Sequence, residues 1–394
     1  MRSIPINIFI LFAIICLSCD EDKITSNQSD SFVKFYGGPS LDYGADVKQT
    51  SNGGYAILGT MSTPDKGTDM CLILTDEYGN SVSDTKYYGG NYNDKGICLR
   101  ILNNNELILL GSYQDSIAGN SDIFLVKTSS IGALLWTKLI SHNENLNQEA
   151  YDLQITDSDE LLIVGYTERE SVSGIQKDIF QLLLNSDGDI IWEPHPIGFG
   201  IDNDIGHSIL IEDDGYIIVG NTKSRPVGTT HYRSFIIKTN FLGAISSAFT
   251  TLFETEMHYI NYIRMMPDNN YLISGTIVNN SIPYICMMKI NYQNYEIIWE
   301  KTFNDIPDSY STGLEVDDNE IIILGTRRTS GSASSIVLIR TDLDGNILNL
   351  TEYGSSGQME SMGFDTTYDN GYIFTGSNKT GDNSVITLIK TRNN

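Results

Sequence analysis

Positive charge is what this chain has least of: 25 Lys and Arg stand against 50 Asp and Glu, a formal net charge of −25 over 394 residues. Nucleic-acid binding needs cations to displace condensed counterions, so a nucleic-acid partner is excluded, and the adjacent pair Arg327-Arg328 does not reverse that. Cysteine is sparse as well. Of five, two lie within the first nineteen residues, leaving Cys71, Cys98 and Cys286, an odd number without regular spacing. This is neither a disulfide framework nor a zinc-ligand pattern, and each thiol sits in an apolar strand-like run that predicts a buried, inert side chain. The five histidines, His142, His195, His207, His231 and His258, show no ligand spacing. There is no Gly-x-Ser-x-Gly elbow, phosphate loop or dinucleotide fingerprint. No segment beyond the leader has a 3.6-residue amphipathic period, which leaves little room for helix.

One long apolar run is present, and it is at the N-terminus. Arg2 precedes a stretch from Ile4 to Leu17 that ends at Leu17-Ser18-Cys19. It is too short to span a bilayer and has the layout of a secretory signal. Leu-Ser-Cys resembles the lipobox of bacterial lipoproteins, which implies residues 1–18 as signal peptide and Cys19 as the lipidated first residue of the mature chain. Such acyl chains would tie the protein to the membrane through buried methylene groups. Asp20-Glu21-Asp22 resembles the export tag of lipoproteins displayed on the outer face of the outer membrane; Asp directly after the cysteine also resembles a retention signal, so the periplasmic leaflet stays open as an alternative. Residues 19–31 read as an acidic, polar tether.

Residues 32–394 are dominated by a repeat. An apolar run ending in glycine recurs seven times at intervals of roughly fifty residues, at Gly59, Gly111, Gly165, Gly220, Gly275, Gly325 and Gly376. That period suits propeller blades and is too long for most solenoids. Each copy holds four strand-like segments; in the first these are Ala45–Thr50, Tyr55–Thr60, Met70–Thr75 and Val82–Tyr88. The second segment is apolar throughout, as befits a strand covered on both faces. Asp-Gly and Asn-Gly pairs such as Asp187-Gly188 and Asn52-Gly53 supply hairpin turns. The seventh copy stops after its third segment, and Phe32-Val-Lys-Phe-Tyr36-Gly-Gly matches Asp84-Thr-Lys-Tyr-Tyr88-Gly-Gly. The expected fold is therefore all-β: a seven-bladed propeller of four-stranded antiparallel blades, closed by the N-terminal strand as outer strand of the last blade.

Gly-Gly-Tyr, Gly-Thr, Asp before the third strand, Lys-Thr after it and Gly-Asn-Ile-x-Trp-x-Lys in the fourth together resemble the bacterial propeller repeats of the delta-60 and SBBP type. The resemblance specifies fold more than activity. The fourth-strand tryptophan occurs only at Trp136, Trp192 and Trp299, where the resemblance implies packing between blades; sugar stacking is the alternative role.

An acidic residue precedes the first strand of every repeat: Asp42, Asp94, Glu149, Asp204, Glu256, Asp308 and Glu360. Symmetry would place the seven around one opening, where they could draw in calcium or a basic peptide; alternatively each caps its own turn by accepting backbone N–H bonds. His207 and His258 would face the central channel. The functional expectation is a monomeric binding or scaffold module for a protein or glycan, without catalytic residues or an organic cofactor. The alternatives are a propeller hydrolase, lyase or quinone-type dehydrogenase, and an outer-membrane assembly factor. Non-repeating polar residues converging on the central pocket would favour the enzyme.

Overall fold

A computed structural model describes residues 31–392 except 39, 65, 116–118, 142–145, 173, 193–195, 201, 224–231, 246–249, 252–257, 330, 332 and 355–356. Cys19 and the leader lie outside the described residues, as does Glu256. Twenty-eight strands and no helix are assigned among the described residues. After β1 (Phe32–Tyr36) come β2 (Tyr43–Gln49), β3 (Tyr55–Ser62), β4 (Thr68–Thr75) and β5 (Lys86–Tyr88), which form one antiparallel sheet in chain order. The same order repeats in β6 (Lys95–Ile101) to β9 (Leu134–Ile140) through β7 (Leu107–Gln114) and β8 (Ser121–Thr128). The third sheet holds β10 (Gln148–Ile155), β11 (Leu161–Ser171), β12 (Gly174–Leu184) and β13 (Ile190–Trp192). The fourth has β14 (Asp204–Glu212), β15 (Gly215–Thr222), β16 (Arg233–Thr239) and β17 (Thr250–Thr251), and the fifth β18 (His258–Met265), β19 (Tyr271–Asn279), β20 (Ile282–Ile290) and β21 (Ile297–Thr302).

The remaining strands fall into two groups of four. One is β22 (Ser309–Val316), β23 (Glu320–Arg328), β24 (Ser334–Asp342) and β25 (Ile347–Tyr353). The other is β26 (Gln358–Thr366), β27 (Tyr372–Thr380) and β28 (Asn383–Thr391), completed by β1. A single parallel pair, Ser334 with Gln358, bridges the two groups. β1 runs antiparallel to β28 from Phe32 opposite Lys390 to Tyr36 opposite Ile386. The expected first-repeat strands are found with the ends of the first three shifted by one or two residues, and the fourth begins at Lys86 rather than Val82, after an isolated bridge between Thr75 and Ser81. Val82 is exposed, so this outer edge has no packing to extend the ladder.

The second strands are apolar because both of their faces are covered. Ala56, Ile57 and Leu58 in β3, like Leu162, Ile163 and Val164 in β11, have no exposed surface, and burying each large aliphatic side chain contributes about 1.5–3 kcal/mol. Seven hydrophobic clusters result, each lying between two consecutive groups of strands. One of them joins last to first: Ile373, Ile386 and Leu388 pack with Val47, Ile57 and Ile73.

Fourth strands lean on the following sheet in a repeated way. Trp136 packs over the turn glycine Gly188, and Trp192 over Gly243. Phe32 does the same over Gly79 of the first sheet. Tyr36 donates its hydroxyl proton to the Gly79 carbonyl at 2.6 Å as Tyr88 does to that of Gly132 at 3.3 Å, and Lys34 reaches Asn80 as Lys138 reaches Asp189. The likeness of Phe32–Tyr36 to Asp84–Tyr88 thus extends to the contact made by its last tyrosine. The three tryptophans pack among apolar residues of adjacent groups.

Candidate functional site

Every first strand carries one β-bulge, at the same place. The pairing register shifts around Ala45, Ile97, Tyr151, His207, Asn261, Thr312 and Met362. A bulge inserts one unpaired residue and re-aims its side chain. The residue before each bulge lies opposite the recurring glycine of the second strand: Gly44 opposite Gly59, Ala150 opposite Gly165, Ser361 opposite Gly376. A Cβ on Gly165 would stand 1.9 Å from the Glu149 carbonyl oxygen, and one on Gly376 1.8 Å from that of Glu360. The glycine that defines the repeat is the socket that lets the bulged strand close in.

Six of the seven bulged residues, all but Asn261, line one cavity of about 90 Å³. That volume holds a few waters or one small polar group, well short of the several hundred Å³ of a cofactor pocket. The seven positions carry seven different residues, the reverse of the surrounding repetition.

Three residues beyond each bulge lies a second layer: Lys48, Arg100, Gln154, Leu210, Arg264, Glu315 and Asp365. Its charges neutralise one another across sheets. Arg100 bridges Asp46 at 3.1 Å and Asp152 at 2.9 Å, Arg264 holds Glu315 at 3.0 Å, and Lys48 reaches Asp365 at 3.1 Å. Asp46 also accepts the Leu99 N–H at 2.9 Å, and Asp152 accepts the Ser208 hydroxyl at 2.8 Å. Burial alone would push the Glu315 carboxyl up; the charge and hydrogen bonds of Arg264, with Lys48 and Arg100, hold it below its ordinary range. For Asp365 burial wins over Lys48 and the carboxyl is raised. Burial would lower Lys48, but Asp365 and Asp46 raise it above its usual value.

His207 differs from this paired layer. It lines the cavity with its ring 5.0 Å from that of Tyr151, and burial lowers its pKa to about 4, so the imidazole is neutral at physiological pH. Tyr151, 36% exposed, lies 6.0 Å from Tyr166, and its hydroxyl donates to Glu149 at 3.3 Å. Tyr232 and Tyr259 make a further ring contact at 6.0 Å in the next two sheets. The side chain of His258 is outside the described residues.

The acidic residues of the repeats stand elsewhere. Asp42 and Asp94 are buried in connections between sheets, and Asp204 is buried at the start of β14. Asp42 accepts the N–H of Gly38 and of Ser62, both at 3.0 Å, and Asp94 accepts those of Gly90 and Gln114. Asp204 takes the Phe199 N–H at 2.8 Å and the Thr222 hydroxyl. Glu149 pairs with Lys95 at 3.2 Å, Asp308 is half-buried with φ +57°, and Glu360 is exposed. None of the described members lines the central cavity. Among the described residues no three carboxylate, histidine or cysteine side chains converge as metal ligands. Cys71, Cys98 and Cys286 are buried free thiols, and burial raises all three, Cys98 to about 12.

No known protein family matches the sequence, and no curated protein matches it. Solved structures do match. The WD40 domain of Pan2 from Neurospora crassa is similar over 90% of this chain and 97% of its own, at 11% identity and a TM-score of 0.51. A polysaccharide lyase of family PL25, an ulvan lyase, is similar over 90% and 95%, at 10% identity and 0.54. Pyrococcus horikoshii acylaminoacyl peptidase shares 14% identity over 89% of this chain and 52% of its own, at 0.50. Identities this low speak to architecture. The chain is a β-propeller. Its four-stranded groups are blades, and the bulged residues lie on their innermost strands.

Proposed function

We propose that the chain is a closed seven-bladed propeller, tethered through lipid on Cys19 to the outer membrane with its propeller at the cell surface, and that it binds a glycan at the mouth of its central channel without transforming it. The seven-blade reading is supported by seven bulges, seven clusters between consecutive groups of strands, and the pairing of β1 with β28, which ties the start of the chain to its last group. The observation that carries the binding reading is the bulge ring. In six of the seven groups of strands the bulged residue lines a common cavity, and the bulged residues are the ones that do not repeat. Beneath them the charged layer is consumed in its own ion pairs, which fixes the walls and leaves no cation poised for a reacting group. The sector formed by Tyr151 and His207, with Tyr166 packed behind Tyr151, offers the aromatic face and neutral hydrogen-bonding groups that suit a sugar ring.

Glycan-array screening of the full chain in detergent tests this. Binding is expected that Tyr151→Ala and His207→Ala abolish and that Asp94→Asn, remote from the channel, retains; absence of glycan binding, or indifference to both channel substitutions, overturns it. Acyl labelling lost in Cys19→Ser tests the anchor, and protease shaving of intact cells separates surface display from the periplasmic leaflet. A second reading, a propeller enzyme, is favoured by one observation: His207 is a neutral imidazole open to the cavity beside a tyrosine, the state required of a general base. Shortening of the bound glycan on incubation would select it.

A further inference from the structure

In five blades strand pairing places one fourth-strand position opposite a fixed position of the third strand. Trp136 lies opposite Lys127, Trp192 opposite Leu183, Trp299 opposite Lys289 and Phe32 opposite Lys390. At these four places an aromatic ring fills the gap toward the next blade. In β25 the equivalent position, opposite Arg340, is Asn349. The gap there is an open pocket of about 440 Å³ between β25 and the last blade, within the size range of small-molecule sites. It is independent of the central channel and shares none of its lining.

The chemistry of this pocket differs from the rest of the molecule. In a chain with twice as many acids as bases, its described lining includes Arg340, Lys390 and Arg392 and no carboxylate. Arg340 and Lys390 are held in place from behind by Glu320 at 2.8 Å and Asp369 at 2.8 Å. Tyr353 and Tyr372 provide ring surface. The side chains of Tyr372 and Thr391, on residues 2% and 7% exposed, close the floor of the pocket. The geometry points to a second binding site, for a planar aromatic ring bearing a carboxylate: the ring takes the volume that indole takes in other blades, and the carboxylate meets the arginines of the rim.

Calorimetric titration of the full chain with indole-3-acetate and with indole tests this. Saturable binding of the acid is expected, about tenfold tighter than that of indole because only the acid gains charge-assisted hydrogen bonds. Asn349→Trp fills the pocket from within, so it should raise the melting temperature and abolish binding of both probes. Arg392→Ala, at an exposed position, should weaken the acid and leave indole unchanged. If Asn349→Trp fails to fold, Asn349→Phe with a cooperative melt takes its place. No binding of either probe at millimolar concentration, or binding that survives the filled pocket, overturns the site; equal affinity for acid and indole overturns its preference for anions.

Discussion

The contact between first and last blades can be tested with a single methyl group. Gly363 in β26 faces β2, and a Cβ built on it would stand 2.3 Å from the Asp46 Cα and 2.7 Å from the Ala45 carbonyl oxygen. Both are main-chain atoms that cannot swing aside. Gly313 occupies the matching place in β22, yet the nearest atoms to its Cβ would be side-chain carbons of Leu324 at 3.2 Å and Phe364 at 3.3 Å. Replacing a strand glycine by alanine gains about 0.5–1 kcal/mol from reduced unfolded-state freedom, and overpacking costs about 1–3 kcal/mol, toward the upper end against backbone. Gly363→Ala should therefore lose about 2 kcal/mol net, while Gly313→Ala stays within about 0.5 kcal/mol of the parent. With about 2.1 cal/mol/K of unfolding entropy per residue, the former is a fall of about 2–3 °C if the blades melt together. Thermal and urea unfolding followed by fluorescence of the three tryptophans would measure both. Equal stability of the two variants would refute the reasoning, since it would mean that β26 does not press on β2 and the ring is not closed there.

Arg100→Met should cost about 3–5 kcal/mol in urea unfolding, because it strands the buried carboxylates of Asp46 and Asp152 in two different blades; a loss below about 1 kcal/mol would show those carboxylates to be satisfied without it. His207 has a folded pKa of about 4 against about 6.5 unfolded. Its depressed value means that its contribution is complete above the unfolded pKa and is lost as pH falls toward the folded one, up to about 3 kcal/mol in all. His207→Gln should flatten the stability profile between pH 6.5 and 4 relative to the parent, and parallel profiles would contradict the burial of the imidazole. Asp94→Ala should cost about 2–3 kcal/mol by leaving the Gly90 and Gln114 N–H groups without an acceptor. Added calcium should leave the melting temperature of the parent unchanged, since the oxygens of Asp42, Asp94 and Asp204 already accept protein donors; a calcium-dependent rise would restore the acidic ring as a cation site.

The blades were readable in one dimension because each depends on local chemistry: a wholly apolar second strand needs cover on both faces, and Asn-Gly or Asp-Gly pairs turn hairpins of fixed hand. The role of Phe32–Tyr36 was also legible, since its Tyr36 and the Tyr88 of the matching segment donate alike to a turn-glycine carbonyl of the next sheet. The central site was not. Its members are single residues some fifty positions apart, of seven different types, and only the bulge that turns each one inward makes them a set. A signal was present even so: each lies thirteen or fourteen positions before the recurring glycine, and variation at a fixed offset from an unvarying residue marks where a repeat stops serving the fold. Asp42 and Asp94 show the opposite case, because each serves its own turn as the acceptor of two backbone donors. Periodicity along the chain thus determined the strands, the turns and the partner of the first strand. Which side chains share a cavity, which charges cancel and where an asparagine opens a gap that tryptophan fills elsewhere were decided only when the sheets were brought side by side, because those properties belong to distances between residues that the chain keeps far apart.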